Sequence, residues 1–102
     1  MAIYLVELSY NVDRTGREPS NPAHVEYLRE LTADGVLKLG GPLVGENRGL
    51  LLYEAADRSE LDGILAAEPY VLAGLVSGTT IREWQPGKGQ WAPESAAAGT
   101  VR

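Results

Sequence analysis

The chain predicts an α+β domain of the ferredoxin-like kind, a βαββαβ order with a four-stranded antiparallel sheet. Three observations predict it. Four runs rich in β-formers, at Tyr4–Tyr10, Val36–Leu39, Leu50–Ala55 and Leu75–Trp84, are bounded by turn residues. Two stretches with helix-start signals, at Asn21 and Ser59, follow the first and the third of these runs. The length, 102 residues, holds one domain and not two.

The first run, Tyr4-Leu5-Val6-Glu7-Leu8-Ser9-Tyr10, is a strand by composition. Asn11 to Ser20 is polar, carries Gly16 and Pro19, and is expected as a loop. Asn21-Pro22 then reads as an N-cap followed by proline at the first helical position. Val25, Leu28 and Leu31 recur at helical spacing with Tyr27 beside them, and Asp34-Gly35 ends the helix. Val36 to Leu39 begins a second strand, which Gly40-Gly41-Pro42 is expected to interrupt.

Leu50 to Ala55 forms a third strand, joined to the second in a hairpin across turn-like residues Gly45–Gly49. Ser59-Glu60-Leu61-Asp62 resembles a capping box and opens a helix through Ala67, which Pro69 limits. Leu75 to Trp84 is the fourth strand; its Gly78 and Thr79-Thr80 suit a bulged or edge position. Residues 1–85 thus make the domain, and residues 86–102, with Pro86, Gly87, Gly89, Pro93 and the Ala96-Ala97-Ala98 run, an irregular C-terminal extension. Trp91 is the exception there, expected to fold back onto the domain or a neighbouring subunit.

The strands at Tyr4–Leu8 and Leu50–Tyr53 are nearly continuously apolar, not cleanly alternating, which implies cover on both faces of the sheet. Two helices cover one face. A second copy of the same sheet is the simplest cover for the other, so the pattern predicts a homodimer.

Composition narrows the functional classes. A net charge of −5 disfavours nucleic acid, whose phosphates need clustered Lys and Arg, and anionic membrane surfaces. The absence of cysteine removes disulfides, thiolate catalysis and Cys-based zinc sites, and one histidine makes poor material for a metal site. Neither a basic leader nor an apolar stretch of membrane-spanning length is present, so a cytoplasmic location is expected.

The single histidine, His24, carries the chemistry that remains. It lies four and seven residues before Leu28 and Leu31, on the apolar helix face, and so points toward the sheet. The free N–H groups of a helix start disfavour a positive charge there, leaving a neutral imidazole able to accept a proton. A histidine so placed is either a hydrogen-bonded core residue or a proton-transfer group. Glu68, against Pro69, is the acid that would orient it and stabilise its protonated form, or else is a solvated surface residue.

Gly40-Gly41-Pro42 either lets backbone approach a ligand or simply ends a strand. Tyr4, Tyr27, Tyr53 and Tyr70 offer apolar walls with hydroxyl tips. No phosphate-binding glycine loop and no serine nucleophile motif is present.

Taken in order, His24, Leu28, Leu31, Gly35, Gly41-Pro42, Pro69-Tyr70, Gly74-Leu75 and Trp84 resemble the YciI-like (YCII-related) proteins, from Tyr4 to about Trp84. The resemblance implies a dimeric α+β barrel, a His–Asp pair in a pocket beside the sheet, and no metal or organic cofactor. Family members include a dehydrochlorinase acting on a chlorinated hydroxyquinol, and muconolactone isomerases share the broader fold. By position His24 matches the family histidine, and Glu68 stands where the family usually has Asp, one methylene shorter. Tyr70 matches an aromatic position, and Asn21 stands where some relatives carry a basic residue.

The reading that follows is a small cofactor-independent enzyme, of lyase or isomerase type, moving a proton on a small cyclic or aromatic metabolite. His24 and Glu68 are its catalytic pair; Tyr4, Gly41, Pro42 and Tyr70 contact the substrate. The alternatives are a non-catalytic dimer that binds a small molecule, and a cofactor-independent oxygenase suggested by fold analogy alone.

Overall fold

The computed structural model describes residues 1–93; the expectation for the end of the extension, with Ala96-Ala97-Ala98, lies outside the described residues. Four strands form one antiparallel sheet: β1 (Ala2–Tyr10), β2 (Leu37–Pro42), β3 (Arg48–Ala55) and β4 (Val76–Trp84), in spatial order β2-β3-β1-β4. The helices α2 (Asn21–Ala33) and α3 (Arg58–Ala66) form the long crossovers of a ferredoxin-like α+β fold.

Cross-strand partners share a sheet face, so the register defines the core. Tyr4 pairs with Tyr53, Val6 with Leu51 and Leu8 with Gly49, and all six are buried. Leu31 of α2 and Leu61 and Leu65 of α3 close over this face. Along α2 the inward stripe is His24, Tyr27, Leu28 and Leu31, at i, i+3, i+4 and i+7. Val25, expected on that stripe, falls beside it and is exposed.

Several local expectations change register. Asn21 is the first residue of α2, with Ser20 at the N-cap. Asp57, not Ser59, caps α3: its side chain accepts the Glu60 N–H at 2.9 Å, and the Glu60 side chain accepts the Ala56 N–H at 3.4 Å. Asp57 supplies a capping oxygen with glutamate three residues on, a better box than Ser59 with Asp62. Gly40-Gly41-Pro42 does not interrupt β2 but continues it, paired with Leu51, Leu50 and Gly49. The irregularity sits earlier, between Leu37 and Leu39. The polar segment after β1 is not an open loop either: α1 (Arg14–Arg17) and a 3₁₀ turn (Glu18–Ser20) lead into α2.

The fourth strand occupies an edge, as Gly78 and the threonine pair suggest, and the pairing slips where Ser9 and Tyr10 meet it. Gly35 ends α2 with φ of 75°, a left-handed conformation suited to glycine. After β4 the described chain has no further strand or helix, and Trp91 is 82% exposed rather than packed on the domain. No helix among the described residues is long and apolar enough to cross a membrane.

Candidate functional site

Proline controls the local geometry around Glu68. The residue before a proline is held away from helical angles, and Glu68 is extended at φ −66°, ψ 126°. Pro69 then starts the one-turn helix α4 (Pro69–Leu72), with Glu68 as its N-cap. One carboxylate oxygen, Oε2, accepts the N–H groups of Tyr70 at 3.0 Å and Val71 at 3.3 Å. The other, Oε1, meets Nδ1 of His24. Glu68 is therefore not a solvated surface acid: its side chain is 1% exposed, and His24 is 14% exposed. Buried carboxylates need such partners, and this one has three. The extra methylene of glutamate, relative to the aspartate of the resemblance, is accommodated and the pair meets.

With Oε1 as acceptor, the neutral imidazole carries its proton on Nδ1 and leaves the Nε2 lone pair available. Tyr70 lies flat on the imidazole, with ring centroids 3.9 Å apart and planes 9° from parallel. Its hydroxyl donates to Asn21 Oδ1 at 2.8 Å. Tyr10 meets the Tyr70 ring edge-on at 5.6 Å, and the Arg17 guanidinium sits 4.2 Å above the Tyr10 ring. Burial raises the Tyr10 and Tyr70 hydroxyls above the ordinary phenol value, and the Arg17 charge offsets part of the rise at both.

These groups line a cavity of about 640 Å³ between the helices and the end of the sheet. His24 and Leu28 of α2 and Tyr70 of α4 form one wall; Gly40, Gly41 and Pro42 of β2 with Gly49 and Leu51 of β3 form another; Arg14 and Arg17 of α1 stand at a third. Of the expected site residues, His24, Gly41, Pro42 and Tyr70 are thus brought together, with Glu68 buried against His24.

Tyr4 is not part of this wall. It is buried in the core, cross-strand from Tyr53 and Glu83, and the cavity tyrosine of β1 is Tyr10. Alternation aims both tyrosines at the same face, but six residues of strand separate them by about 20 Å. Tyr53 is core, and the Tyr27 hydroxyl is tied to the Ile64 carbonyl at 2.7 Å. Sequence reasoning also missed Arg14 and Arg17. Asp13 was the available signal: it caps α1 by accepting the Gly16 N–H at 2.9 Å, and a capped turn sets residues three apart on one side.

Solved structures share this fold. A 5-chloro-2-hydroxyhydroquinone dehydrochlorinase from Burkholderia phenoliruptrix AC1100, in complex with 2,5-dihydroxybenzoquinone, is similar with a TM-score of 0.74 and 24% identity, over 83% of this chain and 95% of its own. An antibiotic biosynthesis monooxygenase is similar with a TM-score of 0.57 and 12% identity, over 82% of this chain and 96% of its own. A protein from Agrobacterium tumefaciens is similar with a TM-score of 0.54 and 12% identity, over 91% and 98% of the two chains. No curated protein matches the chain. The YCII-related domain matches residues 2–85, and the chain belongs to that family.

Proposed function

We propose that this protein is a small enzyme, working without metal or organic cofactor, that moves a proton on a small cyclic or aromatic metabolite in a lyase- or isomerase-type reaction. The observation that carries the reading is the buried Glu68 carboxylate against Nδ1 of His24, at the wall of a cavity large enough for a ring-sized ligand. Nε2 takes a proton from the ligand, and Glu68 stabilises the imidazolium that forms. The proton then returns to another ligand atom, or leaves with a departing anion as the acid. Tyr70 and the backbone at Gly41-Pro42 orient the ring.

General acid–base catalysis of this kind contributes about a hundredfold to ten-thousandfold, which suits substrates already inclined to react, such as quinols and activated lactones. A dehydrochlorinase of the same fold, in complex with a small quinone, supports that substrate class.

The test is turnover of 5-chloro-2-hydroxyhydroquinone and of activated lactones, with chloride release and dioxygen followed together. Proton-transfer chemistry gives product without oxygen uptake and is lost in His24→Ala. Turnover unchanged in that variant removes His24 from the mechanism. Binding without turnover, retained in Glu68→Gln, returns the non-catalytic alternative, and oxygen uptake returns the oxygenase.

The acting form in this proposal is a cytoplasmic homodimer. Strand register puts Ile3, Leu5, Leu39, Leu50 and Leu52 on the sheet face opposite the helices, with Leu39 51% exposed and Trp84 beside them 48% exposed. An apolar face of this kind supports a second sheet as its cover. Light scattering of the wild type and of Leu50→Lys tests this, a monomeric wild type being the outcome against it.

A further inference from the structure

We propose that the His24 cavity selects ligands bearing an anionic oxygen, through Arg17 and Arg14; the inference rests on the reading of this cavity as the ligand site. The chain as a whole carries a net charge of −5, yet two arginines stand in one wall of its cavity. Arg29, Arg48, Arg58 and Lys38 each meet a carboxylate. Arg14 and Arg17 form no ion pair among the described residues, although Glu18 lines the same cavity. Cations at a pocket wall without a protein counter-charge are suited to an anionic ligand.

Arg17 is also held in place before any ligand arrives. Its guanidinium lies over the Tyr10 ring, and its Nη1 donates to the Val12 carbonyl at 3.0 Å and to Asn47 Oδ1 at 2.6 Å. Asn47 is fixed in turn, donating to the Tyr10 and Val12 carbonyls at 3.3 and 2.9 Å. A guanidinium carries five N–H donors in a rigid fork; Nη1 of Arg17 serves Val12 and Asn47, and the side chain also meets the Tyr70 hydroxyl, so the group is held at the wall where Tyr70 stacks on His24. A donor group already ordered loses little freedom on binding.

The experiment compares 2,5-dihydroxybenzoate with its uncharged methyl ester, binding to the full-length protein, by calorimetry and by the NMR ring signals of His24. The acid is expected to bind about tenfold or more tightly than the ester, the range of a charge-assisted hydrogen bond. Added salt should narrow the gap. In Arg17→Gln the preference should vanish while ester affinity is kept. Arg14→Gln, at an exposed position, should reduce the preference with no effect on folding, and so covers the case in which Arg17→Gln does not fold.

Equal affinity for acid and ester, with both shifting the His24 signals, would overturn anion selection and leave the cavity as a ligand site. A preference untouched by either substitution would overturn the assignment to these arginines. No response of His24 to either compound would overturn both the selection and the reading of the cavity. None of these outcomes depends on turnover, so failure of the catalytic proposal is seen separately.

Discussion

Tyr70 covers one face of the His24 imidazole, parallel to within 9° and 3.9 Å away between centroids, while its backbone N–H donates to the Glu68 carboxylate that meets the same imidazole. One residue thus fixes both the plane of the histidine and the acid beside it. The two contacts come from adjacent parts of one short segment, Glu68-Pro69-Tyr70, so the proline that starts α4 positions acid and aromatic together.

Removing the ring should separate packing from the hydroxyl. Tyr70→Ala leaves the imidazole uncovered and a buried space unfilled, and should cost about 3 kcal/mol in denaturant unfolding. Tyr70→Phe keeps the stack and loses the hydroxyl's contacts with Asn21 and Arg17, so its cost should stay near 1 kcal/mol. Similar losses in both variants would place the stabilisation in the hydroxyl instead of the stack.

Glu68→Gln tests what the carboxylate does for His24. The amide cannot accept from Nδ1–H and from both backbone N–H groups with its single oxygen. If that oxygen stays on Tyr70 and Val71, the amide nitrogen faces Nδ1 and drives the imidazole to carry its proton on Nε2. Nitrogen NMR of the single histidine should show this change of tautomer, with turnover falling on the order of a hundredfold or more. An unchanged tautomer would mean that Glu68 does not orient the ring.

Gly49 and Tyr10 should be coupled. A β-carbon at Gly49 would lie 2.7 Å from the Tyr10 hydroxyl oxygen but 3.7 Å from Cζ, an ordinary contact. Gly49→Ala should therefore destabilise the wild type by about 1–3 kcal/mol, as overpacking does. On a Tyr10→Phe background the same substitution should be close to neutral. A double-mutant cycle by chemical denaturation measures the difference; additive effects would show that the clash is relieved elsewhere.

Alkaline pH should destabilise the fold through its buried phenols. Burial is the main cause that pushes the Tyr53 hydroxyl well above its ordinary value, and it raises Tyr10, Tyr27 and Tyr70 as well. Their contribution is fully present below the ordinary phenol value of about 10 and declines above it, because the unfolded chain releases protons that the folded chain retains. Each fully coupled phenol lowers stability by about 1.4 kcal/mol per pH unit in that window. The Tyr53 hydroxyl has no hydrogen-bond partner among the described residues, so Tyr53→Phe should stabilise the protein by about 1 kcal/mol at neutral pH and flatten the decline above pH 10. A less stable Tyr53→Phe variant would show that the hydroxyl is satisfied in solution.

The short helices at Arg14–Arg17 and Pro69–Leu72 escaped the sequence, which by itself determined the four strands and two long helices and their order, the inward face of α2 with His24 on it, and the turn at Glu68-Pro69. Those features depend on local rules: strand composition, helical spacing, proline before and glycine after. It misplaced the cap of α3 by two residues, where Asp57 with Glu60 three residues on makes a better capping box than Ser59 with Asp62. The tertiary structure decided everything that joins distant segments. His24 and Glu68 are 44 residues apart, and whether a carboxylate one methylene longer still meets the imidazole depends on how α2 and α4 pack. The same holds for the tyrosines, which alternation placed on the right sheet face without saying which end of β1 borders the cavity. Arg17 became part of the site only because Tyr10 and Asn47 fold around it.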